Sequence, residues 1–165
     1  MKRLKKSTIA VIAVLVALAC GVAVLAVLNG RDAQEKQQRR VDGTFLIVAG
    51  ETEYTVTRDE IEALGPKEFE ANYKKSGKAP EARVYTGVPF AAVLERKGID
   101  PAQFSTAIFS AADAYIQAIP LADALDATGC FIALDDAGDG PFRMILAKDQ
   151  FSQRWVKLLT DVTLS

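Results

Sequence analysis

From Ser7 to Gly30 the chain carries no charge, and from Thr8 to Leu28 it is almost wholly apolar. At about 1.5 Å of rise per residue, a helix over that run spans roughly 30 Å, the thickness of a bilayer's hydrocarbon core. A secretory leader has a shorter apolar region of ~7–15 residues and a small-x-small cleavage site. Here the run continues into Leu28-Asn29-Gly30 without one, so it reads as an uncleaved transmembrane anchor. Lys2, Arg3, Lys5 and Lys6 precede it, and Arg31, Lys36, Arg39 and Arg40 follow. The first segment usually decides orientation, and the short N-terminal tail leaves little to translocate. The expectation is therefore a single-pass protein of the cell membrane, N-terminus cytoplasmic and the remainder extracytoplasmic. The alternative is a lipoprotein, because Leu18-Ala19-Cys20 loosely resembles a bacterial lipobox with Cys20 lipidated. Against it, Gly21–Leu28 stays apolar where a lipoprotein turns polar, and either reading holds the domain at a membrane.

This divides the chain into a basic tail (1–7), an anchor (8–28), a polar linker (29–42) and a folded domain (43–165). Arg31–Asp42 is charged, glutamine-rich and without apolar period, as in a stalk. Setting aside the four N-terminal cations leaves 16 Lys and Arg against 21 Asp and Glu in residues 31–165, a net charge of −5. That balance gives no electrostatic footprint for nucleic acid. The basic cluster around Arg39-Arg40 fits lipid headgroups or a solvated linker instead. Histidine is absent, which excludes His-dependent triads, His-ligated haem and the usual His-containing zinc sites. Cys130 is the one cysteine outside the anchor, so no disulfide forms within the exported part, and it reads as a small buried residue.

Along the folded part, Thr44–Ala49 and Tyr54–Thr57 alternate like the two strands of a hairpin. Thr57-Arg-Asp-Glu60 has the spacing of a capping box, with Ile61 and Leu64 on one face and Gly65-Pro66 as a stop. Glu68–Tyr73 reads as a strand, Lys74–Ala82 as a loop and Arg83–Thr86 as a short strand. Pro89 suits a first helical position before Phe90, Val93 and Leu94, and Gly98 closes that helix. Thr106–Ser110 and Tyr115–Ala118 are expected strands, and Pro120 opens a third short helix that Gly129 closes. Cys130–Leu134 and Phe142–Ala147 look like buried strands. The final run alternates, placing Val156, Leu158, Thr160, Val162 and Leu164 on one side. Short strands mixed with short helices in no regular βα repeat give an α+β class, a mixed sheet with short helices.

Three patterns could carry chemistry. In Asp135-Asp-Ala-Gly-Asp-Gly140, residues Asp135, Asp139 and Gly140 match three calcium-loop positions. Ala137 and Leu146 fall where oxygen ligands are required, so a solvated hairpin turn is expected. Glu68 and Glu70 alternate on one strand face with nothing else converging on them. Tyr54, Tyr73, Tyr85 and Tyr115 read as packing or rim residues. The most unusual stretch is Asp149-Gln-Phe-Ser-Gln-Arg-Trp-Val-Lys-Leu-Leu159, which sets Arg154 and Lys157 among residues that favour burial. An outward-facing edge strand would account for both cations; so would an anionic ligand.

The order of these segments resembles the molybdopterin-binding domain of sulfite oxidase type oxidoreductases over nearly all of residues 44–164. The matching pieces are Tyr54-Thr-Val-Thr-Arg-Asp-Glu-Ile-Glu-Ala-Leu-Gly-Pro66 and Tyr85-Thr-Gly-Val-Pro-Phe-Ala-Ala-Val-Leu94. After them come Ser110-Ala-Ala-Asp-Ala-Tyr-Ile-Gln-Ala-Ile-Pro-Leu121, Gly140-Pro-Phe-Arg-Met-Ile-Leu146 and Gln153-Arg-Trp-Val-Lys-Leu-Leu159. The resemblance implies that fold, molybdopterin as the cofactor, and Arg154 and Lys157 as contacts to its pterin and phosphate, since a guanidinium and an ammonium suit a phosphate dianion. Arg83 is the third candidate contact.

One departure bears on function. The family's active enzymes hold molybdenum through a cysteine thiolate just after the strand equivalent to Glu68–Tyr73, where this chain reads Tyr73-Lys-Lys-Ser-Gly-Lys78. A serine hydroxyl ionises reluctantly and is a poor substitute for a soft thiolate. The expectation is therefore a non-catalytic binding module for a small anionic ligand, a pterin or a protein partner, with no metal site of its own. Two alternatives stand beside it: an active oxidoreductase whose metal ligand is not cysteine or comes from a partner, and an adaptor that receives a partner peptide.

Overall fold

The apolar run and the polar stretch after it form one helix, α1 (Lys6–Asp42). The computed structural model describes residues 6–74, 78–135 and 140–165, without the side chains of 6–13, 23–24 and 27–29 in α1. Contacts divide the chain into two compact units, Met1–Glu35 and Lys36–Ser165. Among the described residues no helix is long and apolar enough to cross a membrane. Several side chains of the Thr8–Leu28 run stand outside that set, so the anchor remains an expectation of the sequence.

The polar linker expected over 29–42 is helical. Its Gln, Glu, Lys, Arg and Ala residues are good helix formers, and its last turns belong to the folded unit. The Arg39 guanidinium donates to Asp161 Oδ1 at 2.8 Å, and the Thr44 hydroxyl donates to the Arg39 carbonyl at 3.4 Å.

In that second unit, β1 (Thr44–Ala49) and β2 (Thr52–Thr57) form the expected hairpin. Its loop is tighter than foreseen, because Gly50 takes φ 63 and two residues suffice. The capping box also forms. Thr57 accepts from the Glu60 amide and Glu60 accepts from the Thr57 amide at the start of α2 (Arg58–Ala63). Then come β3 (Lys67–Tyr73), β4 (Glu81–Pro89) and α3 (Phe90–Lys97), the last ended by Gly98 at φ 66. Pro89 is the residue before α3 rather than its first, and Pro120 stands likewise before α4. β5 (Thr106–Ala111) and β6 (Ile116–Pro120) precede α4 (Leu121–Ala124), which stops well short of Gly129. β7 (Cys130–Leu134), β8 (Phe142–Leu146) and β9 (Leu159–Leu164) complete the chain. The acidic turn's residues 136–139 lie outside the described residues.

The strands make two sheets, not one: β2-β1-β9-β5-β6 and β3-β4-β7-β8. The class is α+β as expected. β1 and β9 pair in parallel while every other strand pair is antiparallel. The two sheets share one core with α3. Phe45 of β1 meets Phe142 of β8 edge-on at 5.1 Å, and Phe90 of α3 meets Phe109 of β5 at the same distance. The seam of the second sheet is unusually close. A Cβ on Gly87 of β4 would stand 2.5 Å from the Ile132 carbonyl oxygen of β7, so only glycine fits there.

The largest difference from expectation is at 151–158. The alternating run reads as a strand, yet Ser152–Arg154 form a 3-10 turn and only Val156 makes a bridge, to Met144. Leu158 then takes φ 53. That turn breaks the alternation, so Leu159 and Thr160 are both fully buried. β9 itself is central, between β1 and β5, and not an edge strand.

Candidate functional site

Two loops place side chains around a cavity of about 190 Å³ lined by Asp113, Tyr115, Gln153, Trp155 and Lys157. One is the β5–β6 connection, where Ala114 takes φ 68; the other is the 3-10 segment leading to Leu158. Ala114 and Leu158 are the only non-glycine residues with positive φ among those described. The loops brace each other, with the Ala112 amide donating to the Leu158 carbonyl at 3.0 Å. The Tyr115 hydroxyl donates to the Gln153 carbonyl at 2.8 Å. A non-glycine residue held at positive φ costs of order 1–3 kcal/mol and persists only where its surroundings over-determine it. Both such positions adjoin this cavity.

Trp155 is its floor. The indole is 4% exposed and its Nε1–H donates to the Leu146 carbonyl at 3.2 Å. Tyr85 meets it edge-on at 5.4 Å and Tyr73 lies at 6.3 Å. The Tyr73 ring gathers two cations, Arg83 at 4.2 Å and Lys157 at 5.7 Å from its centre. Nearby, the Lys74 amide donates to Ser152 Oγ at 3.0 Å while its ammonium sits 4.3 Å from the Phe151 ring. Such contacts are worth about 0.5–1 kcal/mol at exposed sites and fix where a long side chain carries its charge. Arg83 also donates to Glu81 at 2.6 Å, and that hydrogen bond raises its pKa. Behind the indole, burial raises the Tyr85 pKa, and its hydroxyl has no hydrogen-bond partner among the described residues. Arg143, 7% exposed, pairs with Asp135.

Two of the three cations singled out in the sequence, Lys157 and Arg83, thus meet at Tyr73. Arg154 does not join them. It grips Asp149 with two hydrogen bonds and lines a separate cavity of about 200 Å³ with Asp123, Asp126 and Lys148. Sequence reasoning missed Tyr73 and Tyr115 as site residues, taking them for packing. The cue to the site was the Trp-x-Lys spacing, which puts an aromatic floor and a cation on one short segment. Glu68 and Glu70 remain exposed on β3.

The fit of a molybdenum cofactor can be tested on these residues. Cys130 is fully buried in β7, and burial, helped by the charge of Asp126, pushes its thiol up to about 12. Cys20, exposed on α1, belongs to the other unit. Residues 75–77, which hold Lys, Ser and Gly where a thiolate would be needed, lie outside the described residues. A cavity near 190 Å³ is also below the ~300–1,000 Å³ of sites that enclose a small molecule. These residues do not fit a thiolate-bound molybdenum centre.

No protein-family model and no curated protein matches the sequence. Among solved structures, the chain is similar to one in the crystal structure of the sulfane dehydrogenase SoxCD from Paracoccus pantotrophus. The TM-score is 0.60 at 16% identity, over 76% of this chain and 38% of that one. This chain therefore spans well under half of the protein it resembles, and a likeness at this identity shows a shared fold alone.

Proposed function

We propose that this chain is a membrane-tethered, extracytoplasmic binding domain built on an oxidoreductase fold, with no metal centre of its own. Its binding surface is the cavity between Tyr115, Trp155 and Lys157 and the adjoining Tyr73–Arg83 pair. The observation that carries the reading is the position of Cys130, the one cysteine of the folded unit, closed into the core with its thiol held protonated. A cysteine binds metal as its thiolate, and this one is held as the thiol inside the core. The fold shared with a sulfane dehydrogenase and the motif order similar to sulfite oxidase type domains support descent from a cofactor-binding architecture. A fold does not bring its chemistry along. The tether is supported by the uncharged Thr8–Leu28 run and the cations before it.

The test is to produce the full chain in a host that makes molybdopterin, extract it from membranes and measure bound molybdenum and pterin. Both are expected far below stoichiometry. Stoichiometric molybdenum would overturn the reading. Recovery of the chain in the soluble fraction without detergent would overturn the tether.

A further inference from the structure

We propose that the cavity beside Lys157 is a docking socket for an acidic, extended segment of a partner protein, which seats one apolar side chain on Trp155 and Tyr115 and its flanking carboxylates on the surrounding cations. The inference rests on the reading of this surface as a binding site rather than a redox centre, and it names the occupant by chemistry.

Size argues first. A cavity of about 190 Å³ holds roughly six waters' worth of space, enough for one side chain. A free ligand bound tightly loses 70–90% of its surface to a larger site. A partner segment needs no such enclosure, because most of its contact area lies outside the socket. The margin suits this, with Tyr115 38% exposed at the cavity's edge.

Charge argues second. Residues 31–165 carry −5, yet Lys157 lines the cavity beside Asp113, Arg83, paired with Glu81, shares the Tyr73 ring with it, and Lys74 rests on Phe151 close by. All three cations rest on aromatic rings, which holds each head group in place before a ligand arrives. A basic island on an acidic domain steers an acidic partner and repels another copy of the same domain. Backbone strain argues third, since the positive φ of Ala114 and Leu158 adjoins the socket on both sides.

The test uses the full chain in neutral-detergent micelles and fluorescence anisotropy. The probe is a fluorescein-labelled peptide of glutamates around one central leucine. Its controls are the glycine-centred version, the version with lysine for glutamate, and unlabelled inorganic phosphate as competitor. The leucine-centred acidic peptide is expected to bind best and to weaken as salt rises. Lys157→Glu and Arg83→Glu are each expected to weaken it about fivefold or more. Tyr115→Ala removes the preference for leucine over glycine but keeps the salt dependence, and Arg154→Glu changes nothing. Trp155 emission reports that each variant is folded. Binding no better than that of the lysine peptide, or binding indifferent to Lys157→Glu, overturns the proposal. So does displacement by phosphate at concentrations equal to the peptide's, which identifies a small-anion site. Metal content is read separately: a failed peptide titration with no molybdenum leaves the binding-domain reading in place, whereas bound molybdenum defeats that reading whatever the peptide does.

Discussion

Gly87→Ala tests whether the second sheet is assembled as described. The new Cβ would stand 2.5 Å from the Ile132 oxygen and 2.8 Å from the Ala133 Cα, and both are backbone atoms that cannot swing aside. β4 and β7 must therefore separate. Only three residue pairs, from Gly87–Ala133 to Pro89–Phe131, join the β3–β4 hairpin to the β7–β8 hairpin. Overpacking costs about 1–3 kcal/mol, and each ladder hydrogen bond stretched by the separation adds about 1 kcal/mol. The total is roughly 3–4 kcal/mol, a large part of the ~5–15 kcal/mol that holds an ordinary domain together. With a urea slope near ~2 kcal/mol/M, the midpoint falls by roughly 1.5–2 M. Trp155 is the only tryptophan and is buried against Tyr73 and Tyr85, so its emission reports the transition. Gly65→Ala is the control. It meets no atom within 4 Å but sits at φ 69, and costs only about 1 kcal/mol. A Gly87→Ala midpoint no lower than that of Gly65→Ala would refute the close seam, and with it the placement of Tyr73 and Arg83 on this sheet.

Four further outcomes are expected. Thr57→Ala removes the capping box of α2 and lowers stability by about 1 kcal/mol, read from the same urea midpoint. Ala114→Gly relieves a left-handed alanine and raises stability by about 0.5–1 kcal/mol while loosening the cavity wall, which shows as weaker peptide binding. Arg39→Ala leaves Asp161, itself 14% exposed, without its guanidinium; a loss of about 1–2 kcal/mol is expected, with faster proteolysis between 31 and 42. Hydrogen bonds from Lys148 and from the Thr128 amide and hydroxyl hold the Asp126 carboxyl at about 2 instead of 3.8. Because the folded value is depressed, its contribution is full above about pH 4 and is lost as pH falls towards about 2. Asp126→Asn should therefore lower stability at neutral pH, where the ionised carboxylate makes its contribution, and flatten the acid limb, so that variant and parent converge as pH falls towards about 2.

What was legible in the sequence was local. Thr57 and Glu60 announce α2 because both halves of the cap lie within four residues, and Gly98 ends α3 because a left-handed residue is needed there. The strands with strict alternation were found for the same reason. The partners of those strands were not, because nothing in residues 159–164 says that they lie parallel to residues 44–49. The 151–158 segment shows tertiary structure overriding pattern. Its alternation imitates a strand, but the Trp155 indole has to reach the Leu146 carbonyl and the rings of Tyr73 and Tyr85, and Leu158 turns the chain before β9 begins. The candidate site divides along the same line. Lys157 and Arg83 could be picked out as cations near apolar residues, and Tyr73 brings them together across 74 positions of sequence, from 83 to 157. Arg154 could be picked out on the same grounds and is drawn off by Asp149, a partner whose reach depends on the 3-10 turn between them.

Thiol chemistry on the folded chain tests the central claim most directly. With Cys20→Ser in place, Cys130 is the only sulfhydryl, and its reaction with an aromatic disulfide reagent can be followed in micelles with and without denaturant. Burial at 0% exposure with a pKa pushed up to about 12 predicts that the native chain reacts only as fast as it unfolds, and completely once urea has opened it. Prompt, full labelling of the native chain would mean that the sulfur reaches the surface after all and stands free to grip a metal.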